Sequence, residues 1–240
     1  MVKSTLALLV LTGLVASCNA AEPSVEASLK KIIQPRLNPG MQIDSVKATQ
    51  FSGLYEVRAG GDIIYTDKAG DYIFIGEIVD AKTRKNLTKE RLEEINKIKF
   101  SDLPLENAVK LVKGNGKRVI AIFEDPNCGY CKRFRQTTLK EADNLTVYTF
   151  MYNILSEDSA IKSRNIWCAP NRHKAWDDWM IDGKLPASAA ASCESPNDKV
   201  SALGRKLRIN GTPAIFFADG SRISGAIDLD GLEAKLKTLK

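Results

Sequence analysis

Histidine is nearly absent from this sequence, and cysteine is sparse. The chain of 240 residues contains one His and five Cys. The single histidine, His173, argues against a metal site built from imidazoles and against a mechanism that needs two of them. Five cysteines are too few to staple a chain of this length into a disulfide scaffold. Because an odd number leaves one thiol without a partner, the positions of the five become the first question.

Long apolar runs and a strong excess of one charge are also missing. The longest apolar stretch, within residues 5–16, has about 12 residues, whereas a helix that spans a bilayer needs roughly 20. The 35 Lys and Arg residues only slightly outnumber the 29 Asp and Glu residues, and they alternate with acids, as in residues 88–94. We therefore expect no nucleic-acid binding. A content of 44% hydrophobic and 27% charged residues is ordinary for a globular protein of one large or two small domains.

The N-terminus has the layout of an export signal. Lys3 precedes the apolar run, and small residues suited to a cleavage site follow it. We predict a signal peptide over residues 1–20 and hence an exported protein; a buried N-terminal helix is the alternative. The residues before Cys18 also resemble a bacterial lipobox, so two fates of Cys18 stay open. Cleavage after Ala20 discards it, whereas lipidation turns it into a membrane anchor.

The residues after the signal peptide predict a small β-rich domain. Over residues 22–34 apolar side chains recur at helical spacing, and Pro35 ends that pattern. Runs rich in β-forming residues then predict an antiparallel sheet, with strands over residues 43–48, 51–58, 63–65 and 72–79. Such a sheet buries little core alone and has edges to protect, so we interpret residues 21–85 as a dimerisation domain. Residues 86–103, with Thr88 as helix N-cap, are predicted to be a helical linker.

From about residue 104 the pattern becomes α/β. We predict helices over residues 104–113, 128–142 and 229–239, a mostly helical stretch from 157 to 207, strands over 119–123 and 145–151, and a hairpin of residues 214–217 and 222–224. Asp219-Gly220 is the predicted turn of that hairpin. Strand, helix, strand, helical insertion, hairpin and helix predict one domain over residues 104–240, in a chain of the α+β or α/β class.

A Cys-x-x-Cys motif stands at the predicted junction between a strand and a helix. Residues three apart face the same side of a helix, so the sulfurs of Cys128 and Cys131 can bond. At the helix start, Cys128 faces unpaired N–H groups and the positive end of the helix dipole, which favour the thiolate, the attacking form in disulfide exchange. Lys132, Arg133 and Arg135 add positive charge nearby. We predict Cys128 as the nucleophile and Cys131, one turn further in, as the resolving thiol.

Two other uses of the cysteines compete with this interpretation. Zinc would need four ligands, but Cys168 and Cys193 form no second Cys-x-x-Cys and His173 is isolated, so we predict no metal site. A purely structural disulfide within the motif would close a loop too small to stabilise the chain much. In an oxidising compartment we expect Cys168 and Cys193 to form a structural disulfide with each other, two buried free thiols being the alternative.

Four short segments together resemble the DsbC-type periplasmic disulfide isomerases of bacteria. They are Cys128-Gly129-Tyr130-Cys131, Trp167-Cys168, Ser192-Cys193 and Thr212-Pro213, and the order of segments agrees over the chain after the signal peptide. The resemblance implies a thioredoxin-like catalytic domain with a helical insertion, a homodimer joined through the N-terminal domains, and no cofactor. It also implies that Gly129, Tyr130, Thr212 and Pro213 modulate the active site, with Thr212-Pro213 as a cis-proline loop.

The resemblance also implies substrates and an electron donor. We expect rearrangement of wrong disulfides in misfolded exported proteins, in the periplasm, with an inner-membrane donor of the DsbD type keeping Cys128 and Cys131 reduced. A dithiol oxidase of the DsbA or DsbG kind and a chaperone without redox activity are the alternatives. Thioredoxins carry a buried acid six positions before the first cysteine, where this chain has Ile122. Whether Glu124 or Asp125 accepts the proton from Cys131 therefore stays open.

Overall fold

Two sheets, one of four strands and one of five, organise the chain. They are seen in a computed structural model that describes residues 23–51 and 53–239. The predicted signal peptide and Cys18 lie outside these residues. Within the described part, no helix is both long enough and apolar enough to cross a membrane.

The first sheet forms from the β-rich segment. Helix α1 (Val25–Ile33) precedes it, capped by Ser24, whose hydroxyl accepts the Ala27 N–H at 3.2 Å. Leu29 and Ile33 are buried on one face of α1, which contacts the first strand. The strands lie in the order β1-β2-β3-β4 and are β1 (Ile43–Ala48), β2 (Leu54–Ala59), β3 (Asp62–Asp67) and β4 (Ile73–Phe74). The helix and the first three strands overlap their predicted ranges: β1 has the predicted bounds, β2 begins three residues later, and β3 extends beyond its predicted range at both ends.

The last strand of this sheet is shorter than predicted. The sequence favours a strand over residues 72–79, but β4 ends at Phe74. Beyond it, the Ile78 N–H donates to Thr88 Oγ1 at 2.8 Å, and the Ile78 carbonyl accepts the Leu87 N–H at 2.8 Å. Because these backbone groups bind residues at the start of the next helix, they cannot also extend the sheet.

The next helix, α2 (Leu87–Ile95), begins two residues earlier than predicted. Its N-cap is Asn86, whose side chain accepts the Lys89 N–H at 2.9 Å. Thr88, the predicted cap, is buried, and its hydroxyl accepts the N–H of Ile78 instead of capping the helix. Asparagine and threonine both cap helices well, so the contact with a distant backbone group decides between them.

The second sheet has a parallel centre and antiparallel flanks. Its strands lie in the order β5-β7-β6-β8-β9 and are β5 (Val109–Lys113), β6 (Arg118–Glu124), β7 (Leu145–Met151), β8 (Ala214–Phe217) and β9 (Arg222–Ser224). Strands β6 and β7 run parallel, whereas β5, β8 and β9 pair antiparallel with their neighbours. The bounds of β6 to β9 agree with the predicted ones to within a residue.

The predicted helix over residues 104–113 is wrong. The chain forms a short 3-10 turn at Leu105–Asn107 and then β5, in which Val109 lies opposite Thr149 and Leu111 opposite Val147. Side chains along β5 alternate between the sheet face and solvent, which is the periodicity of a strand. A short apolar run does not distinguish helix from strand, and here pairing with β7 decides.

Helices pack around the second sheet and build the insertion. They are α3 (Gly129–Phe134), α4 (Glu157–Trp167), α5 (Arg172–Met180), α6 (Asn197–Lys206) and α7 (Leu229–Lys237). Helix α3 continues into a π-helical turn, Arg135–Leu139. The predicted helical stretch from 157 to 207 is interrupted by irregular chain at residues 181–196. This segment returns Cys193 to the end of α4, where a disulfide joins it to Cys168 with the Cα atoms 6.2 Å apart.

Two apolar layers lie on opposite faces of the second sheet. Alternate residues of β6 point into each layer: Ile120 and Ile122 into one, Ala121 and Phe123 into the other. The Phe123 ring stacks on that of Phe150 in β7, with centroids 4.7 Å apart. Because β6 is packed on both faces, the position of the residues at its C-terminal end is well fixed.

Close packing beside α6 predicts that replacing Gly204 with alanine destabilises the protein. A Cβ atom there would overlap the ring of Tyr152, whose hydroxyl is held by donating to the Ile209 carbonyl at 3.2 Å. Gly204→Ala should therefore lower the free energy of unfolding by about 1–3 kcal/mol in urea denaturation, although alanine is the better helix former. The control is Ala202→Gly at an exposed position of the same helix, which should cost about 1 kcal/mol. A Gly204→Ala protein as stable as the parent would contradict this packing.

Candidate active site

The Cys-x-x-Cys motif lies where β6 has ended and α3 begins. Cys128 is the N-cap of α3, and its sulfur accepts the backbone N–H of Cys131 at 3.2 Å. Both cysteines are free thiols; Cys128 keeps 5% of its surface exposed and Cys131 none. The outer sulfur therefore sits at the helix terminus, with the inner sulfur one turn further in and fully enclosed.

A loop distant in sequence meets the motif. The Thr212–Pro213 peptide bond is cis, and β8 starts at the next residue. The Cys128 thiol donates a hydrogen bond to the Thr212 carbonyl at 3.3 Å. Backbone of this loop thus lies directly beside the reactive sulfur, where an extended peptide could pair with it.

Hydrogen bonds stabilise the thiolate of Cys128. The side chain of Cys131 is the largest influence, and with the Thr212 side chain and the backbone N–H groups of Cys131 and Tyr130 it lowers the pKa of Cys128 to about 6, against the opposing effect of burial. Two of the cations expected to help are engaged elsewhere. Lys132 Nζ lies 4.0 Å from the centroid of the Trp179 ring, and Arg135 is bound to buried polar groups.

The environment of Cys131 has the opposite effect. Burial is the largest cause that raises its pKa, and the charges of Glu124 and Cys128 raise it further. At neutral pH Cys131 therefore holds its proton while Cys128 is largely thiolate. The two sulfurs thus differ in the way that a nucleophile and a resolving thiol must differ.

Gly129 and Tyr130 form the outer surface of the motif. A Cβ atom on Gly129 would meet no atom within 4 Å, and Tyr130 is 69% exposed. Tyr130 also borders a groove of about 440 Å³ that is lined by Phe134, Ile227 and Leu229 among others. An exposed aromatic ring beside an open groove is a surface that a polypeptide can contact.

The buried carboxylate of Asp125 holds the turn before Cys128, a role that was not predicted from the sequence. Asp125 Oδ1 accepts the Asn127 N–H at 2.8 Å and the Ser159 hydroxyl at 2.7 Å. Asp125 Oδ2 accepts the N–H groups of Ile154 and Leu155 at 2.8 and 3.0 Å. The only sequence signal is an Asp-Pro-Asn turn, which predicts a local bend and not these distant partners.

A buried ion pair lies at the end of β6. Glu124 Oε2 accepts two hydrogen bonds from Arg135, from Nε at 2.8 Å and from Nη2 at 2.6 Å. Arg135 also donates to Thr149 Oγ1 at 2.5 Å and to Asp177 at 3.2 Å. Burial raises the pKa of Glu124, and the positive charge of Arg135 opposes that rise. The two residues are eleven positions apart in the chain, so no local sequence pattern predicts that they pair.

The remaining candidates lie outside this arrangement. Cys168 and Cys193 are joined to each other. His173 Nε2 lies 3.4 Å from Asp177 Oδ2, one turn along α5. Within residues 23–51 and 53–239, no group of three His, Cys, Asp or Glu side chains is arranged to hold a metal ion.

Comparison with known proteins identifies the family. Residues 16–89 match the family model of the disulfide bond isomerase protein N-terminal domain, and residues 105–240 match that of the thioredoxin-like domain. A probable thiol:disulfide interchange protein DsbC of Bordetella pertussis is 48% identical over 220 residues, which are 92% of this chain and 77% of the relative. The chain belongs to the DsbC family.

A more distant DsbC protein and a solved structure agree. The thiol:disulfide interchange protein DsbC of Escherichia coli K12 is 29% identical over 193 residues, which are 78% of each chain. The crystal structure of a disulfide interchange protein from Neisseria gonorrhoeae is 38% identical with a TM-score of 0.54, over 57% of this chain and 97% of that one. The expected fold, a DsbC N-terminal domain followed by a thioredoxin-like domain, is confirmed. The boundaries 21–85, 86–103 and 104–240 stay predictions.

The lowered pKa of Cys128 predicts its reactivity. Alkylation of the reduced protein by iodoacetamide at Cys128 should follow the thiolate fraction and rise with a midpoint near pH 6, well below the ordinary cysteine value of 9.0. In Cys131→Ala the midpoint should move upward, because the largest lowering influence is removed. Peptide mass spectrometry would follow the reaction at each pH. A midpoint near 9.0 in the parent protein would contradict the described hydrogen bonds.

Proposed function

We propose that this chain is a periplasmic disulfide isomerase and reductase that rearranges wrong disulfides in exported proteins. The observation that carries the proposal is the pair at the start of α3, in a chain of the DsbC family. Its outer sulfur, Cys128, is stabilised as thiolate, and its inner sulfur, Cys131, is enclosed and protonated. Such a dithiol can attack a substrate disulfide at neutral pH through Cys128, while Cys131 stays protonated until the mixed disulfide has formed.

The chemistry proceeds by two exchanges. The Cys128 thiolate attacks one sulfur of a wrong disulfide; a Cys128–substrate bond forms, the old bond breaks, and the second substrate sulfur leaves as thiolate. In isomerisation another substrate thiolate attacks the mixed disulfide, so a new substrate disulfide forms and Cys128 is released. In reduction Cys131 attacks instead, and a Cys128–Cys131 disulfide forms as the substrate leaves with both thiols. The second route moves two electrons to the substrate.

Substrate contacts follow from the surface around Cys128. The Thr212-Pro213 loop would pair with extended substrate backbone next to the mixed disulfide, as its carbonyl at 3.3 Å from Cys128 suggests. Gly129 leaves room for that backbone, and Tyr130 with the neighbouring groove would contact apolar side chains. Misfolded chains expose such side chains, which favours clients of this kind and a chaperone-like component of binding.

An external donor must reset the oxidised pair after each reduction. We assign this role to an inner-membrane protein of the DsbD type and place the reaction in the periplasm, in keeping with the predicted signal peptide over residues 1–20. If Cys18 is lipidated, the same domain works from a membrane surface; the mass of the mature N-terminus distinguishes the two. A dithiol oxidase is the rival, and it would be found oxidised in cells, whereas the isomerase would be found with Cys128 and Cys131 reduced.

The first sheet supports a homodimer. Strand β4 is the terminal strand of the order β1-β2-β3-β4, and among the described residues it pairs with β3. Phe74 in β4 is 49% exposed, and the preceding Tyr72 is 68% exposed. An open strand edge with exposed aromatic side chains is a hazard in a monomer and a natural site for pairing with a second copy.

Loss of the nucleophile tests the proposed activity. Cys128→Ala should abolish recovery of active enzyme from a scrambled multi-disulfide substrate, because no mixed disulfide can form. Cys131→Ala should keep part of the isomerisation and accumulate mixed disulfides, since substrate thiols alone must resolve them. Suppression of aggregation of a cysteine-free client serves as the control for binding. Recovery that is unchanged in Cys128→Ala would leave only the chaperone role.

A charge at the open edge tests the dimer. Phe74→Lys places an ammonium group on β4, so the dimer dissociation constant should rise by at least about tenfold. Lys47→Glu, at an exposed position of β1 on the opposite edge of the sheet, is the matched control and should leave the dimer intact. Sedimentation velocity over a concentration series measures both. Equal dissociation of the two variants would argue against pairing through β4.

A further inference from the structure

We propose that Glu124 is the proton acceptor for the Cys131 thiol when Cys131 attacks the mixed disulfide at Cys128. The inference rests on the proposed function, since it concerns the second exchange of that reaction. Cys131 cannot attack as a thiol, and it is fully enclosed, so solvent has poor access to its proton. A base within the protein must therefore take the proton for the step to be fast.

The hydrogen bonds of the two neighbouring acids distinguish them. Both oxygens of Asp125 are occupied: each accepts two hydrogen bonds from N–H or O–H groups that hold the turn. Glu124 Oε2 is likewise occupied, by Arg135. Glu124 Oε1, in contrast, is buried and accepts no hydrogen bond from the described residues. A buried carboxylate oxygen without a donor is rare in native proteins, and of the four oxygens of these two acids it is the one free to accept a proton.

The position of Arg135 brings this carboxylate to the inner cysteine. Arg135 follows Cys131 by four residues, where α3 continues into the π-helical turn, so both side chains leave the same side of the helix. The guanidinium of Arg135 holds Glu124 Oε2. Glu124 also lies opposite Met151 of β7, and Met151 packs in the same apolar cluster as Cys131. The charge of Glu124 is correspondingly among the causes that raise the pKa of the Cys131 thiol. The positive charge of Arg135 opposes the rise that burial causes in the pKa of Glu124, which favours the ionised form that can accept a proton.

The step balances in atoms and electrons. The proton of Cys131 Sγ moves to Glu124 Oε1 as the Cys131–Cys128 bond forms and the bond between Cys128 and the substrate breaks. The substrate sulfur leaves as thiolate with the electron pair of the broken bond. Neutral Glu124 then gives up the proton as the leaving thiolate is protonated. Burial makes the acid a stronger base than an exposed glutamate, which suits it to a thiol that is reluctant to ionise.

Rapid acid quench of a single turnover tests the assignment on the full chain. Reduced protein is mixed with a disulfide-linked peptide, and mass spectrometry counts the mixed disulfide and the Cys128–Cys131 disulfide over time. In Glu124→Gln the mixed disulfide should form at a rate within a few-fold of the parent, while its resolution should slow by about 100-fold, the usual effect of losing a general base. Glu124→Asp, which keeps a carboxylate, should recover part of the loss.

The matched control is Glu106→Gln. Glu106 is an exposed residue of the 3-10 turn before β5. This variant makes the same chemical change away from Arg135 and the two cysteines, so resolution should stay near the parental rate. Resolution slowed equally in Glu106→Gln and Glu124→Gln, or unaffected in Glu124→Gln, overturns the assignment. A parent protein that forms no mixed disulfide at all overturns the proposed function itself, which is a different result.

The pH dependence gives a readout that a merely structural role would not produce, and it needs no variant. The charged and titratable groups around Glu124 are Arg135, Asp177 and the two cysteines. In the parent, resolution should fall on acidification through a pKa above the ordinary glutamate value of 4.5 and be flat above it. In Glu124→Gln it should instead rise about tenfold per pH unit, because hydroxide must take the proton. A parental rate that rises in this way with no flat region overturns the assignment even if the variant fails to fold.

Discussion

The hydrogen bond from the Cys131 N–H to the Cys128 sulfur is the contact on which the active site depends. It exists only while Cys128 occupies the N-cap position of α3, because that is where a side chain can reach the unpaired N–H groups of the first helical turn. The same geometry brings the Cys128 sulfur within 3.3 Å of the Thr212 carbonyl oxygen and buries Cys131. A one-residue shift of the helix start would remove all three features together.

The helical insertion maintains that geometry from outside the sheet. Asp125, at the turn before Cys128, is held by the Ser159 hydroxyl at the start of α4. Trp179 of α5 donates from Nε1 to the Pro126 carbonyl at 2.6 Å. The disulfide between Cys168 and Cys193 joins the C-terminal end of α4 to the irregular chain before α6. The two kinds of cysteine are therefore linked: one pair stabilises the helix whose other end positions the reactive pair.

Secondary structure followed the sequence where local pattern was sufficient and departed from it where a partner decided. Strand β7 could be predicted because its seven residues are too few for a typical helix and are rich in β-branched and aromatic side chains. Residues 109–113 could not be predicted as a strand from the sequence, since so short an apolar run fits a helix or a strand. Their pairing with β7 decides for the strand. The cap of α2 and the end of β4 were misjudged for a single reason. The Thr88 hydroxyl accepts the N–H of Ile78, and a contact between residues ten positions apart cannot be predicted from local sequence patterns.

The sequence by itself determined the chemistry of this protein: a Cys-x-x-Cys at a strand-to-helix junction, a second cysteine pair apart from it, and a Thr-Pro pair far downstream. These are local features, because cap positions and three-residue spacing depend on neighbours in the chain. The tertiary structure decided which groups distant in sequence act on the two thiols. The contact of Cys128 with Thr212 and the pairing of Glu124 with Arg135 join residues from different elements. Hydrogen bonds at the helix start then gave Cys128 a low pKa against the effect of burial, and burial gave Cys131 a high one.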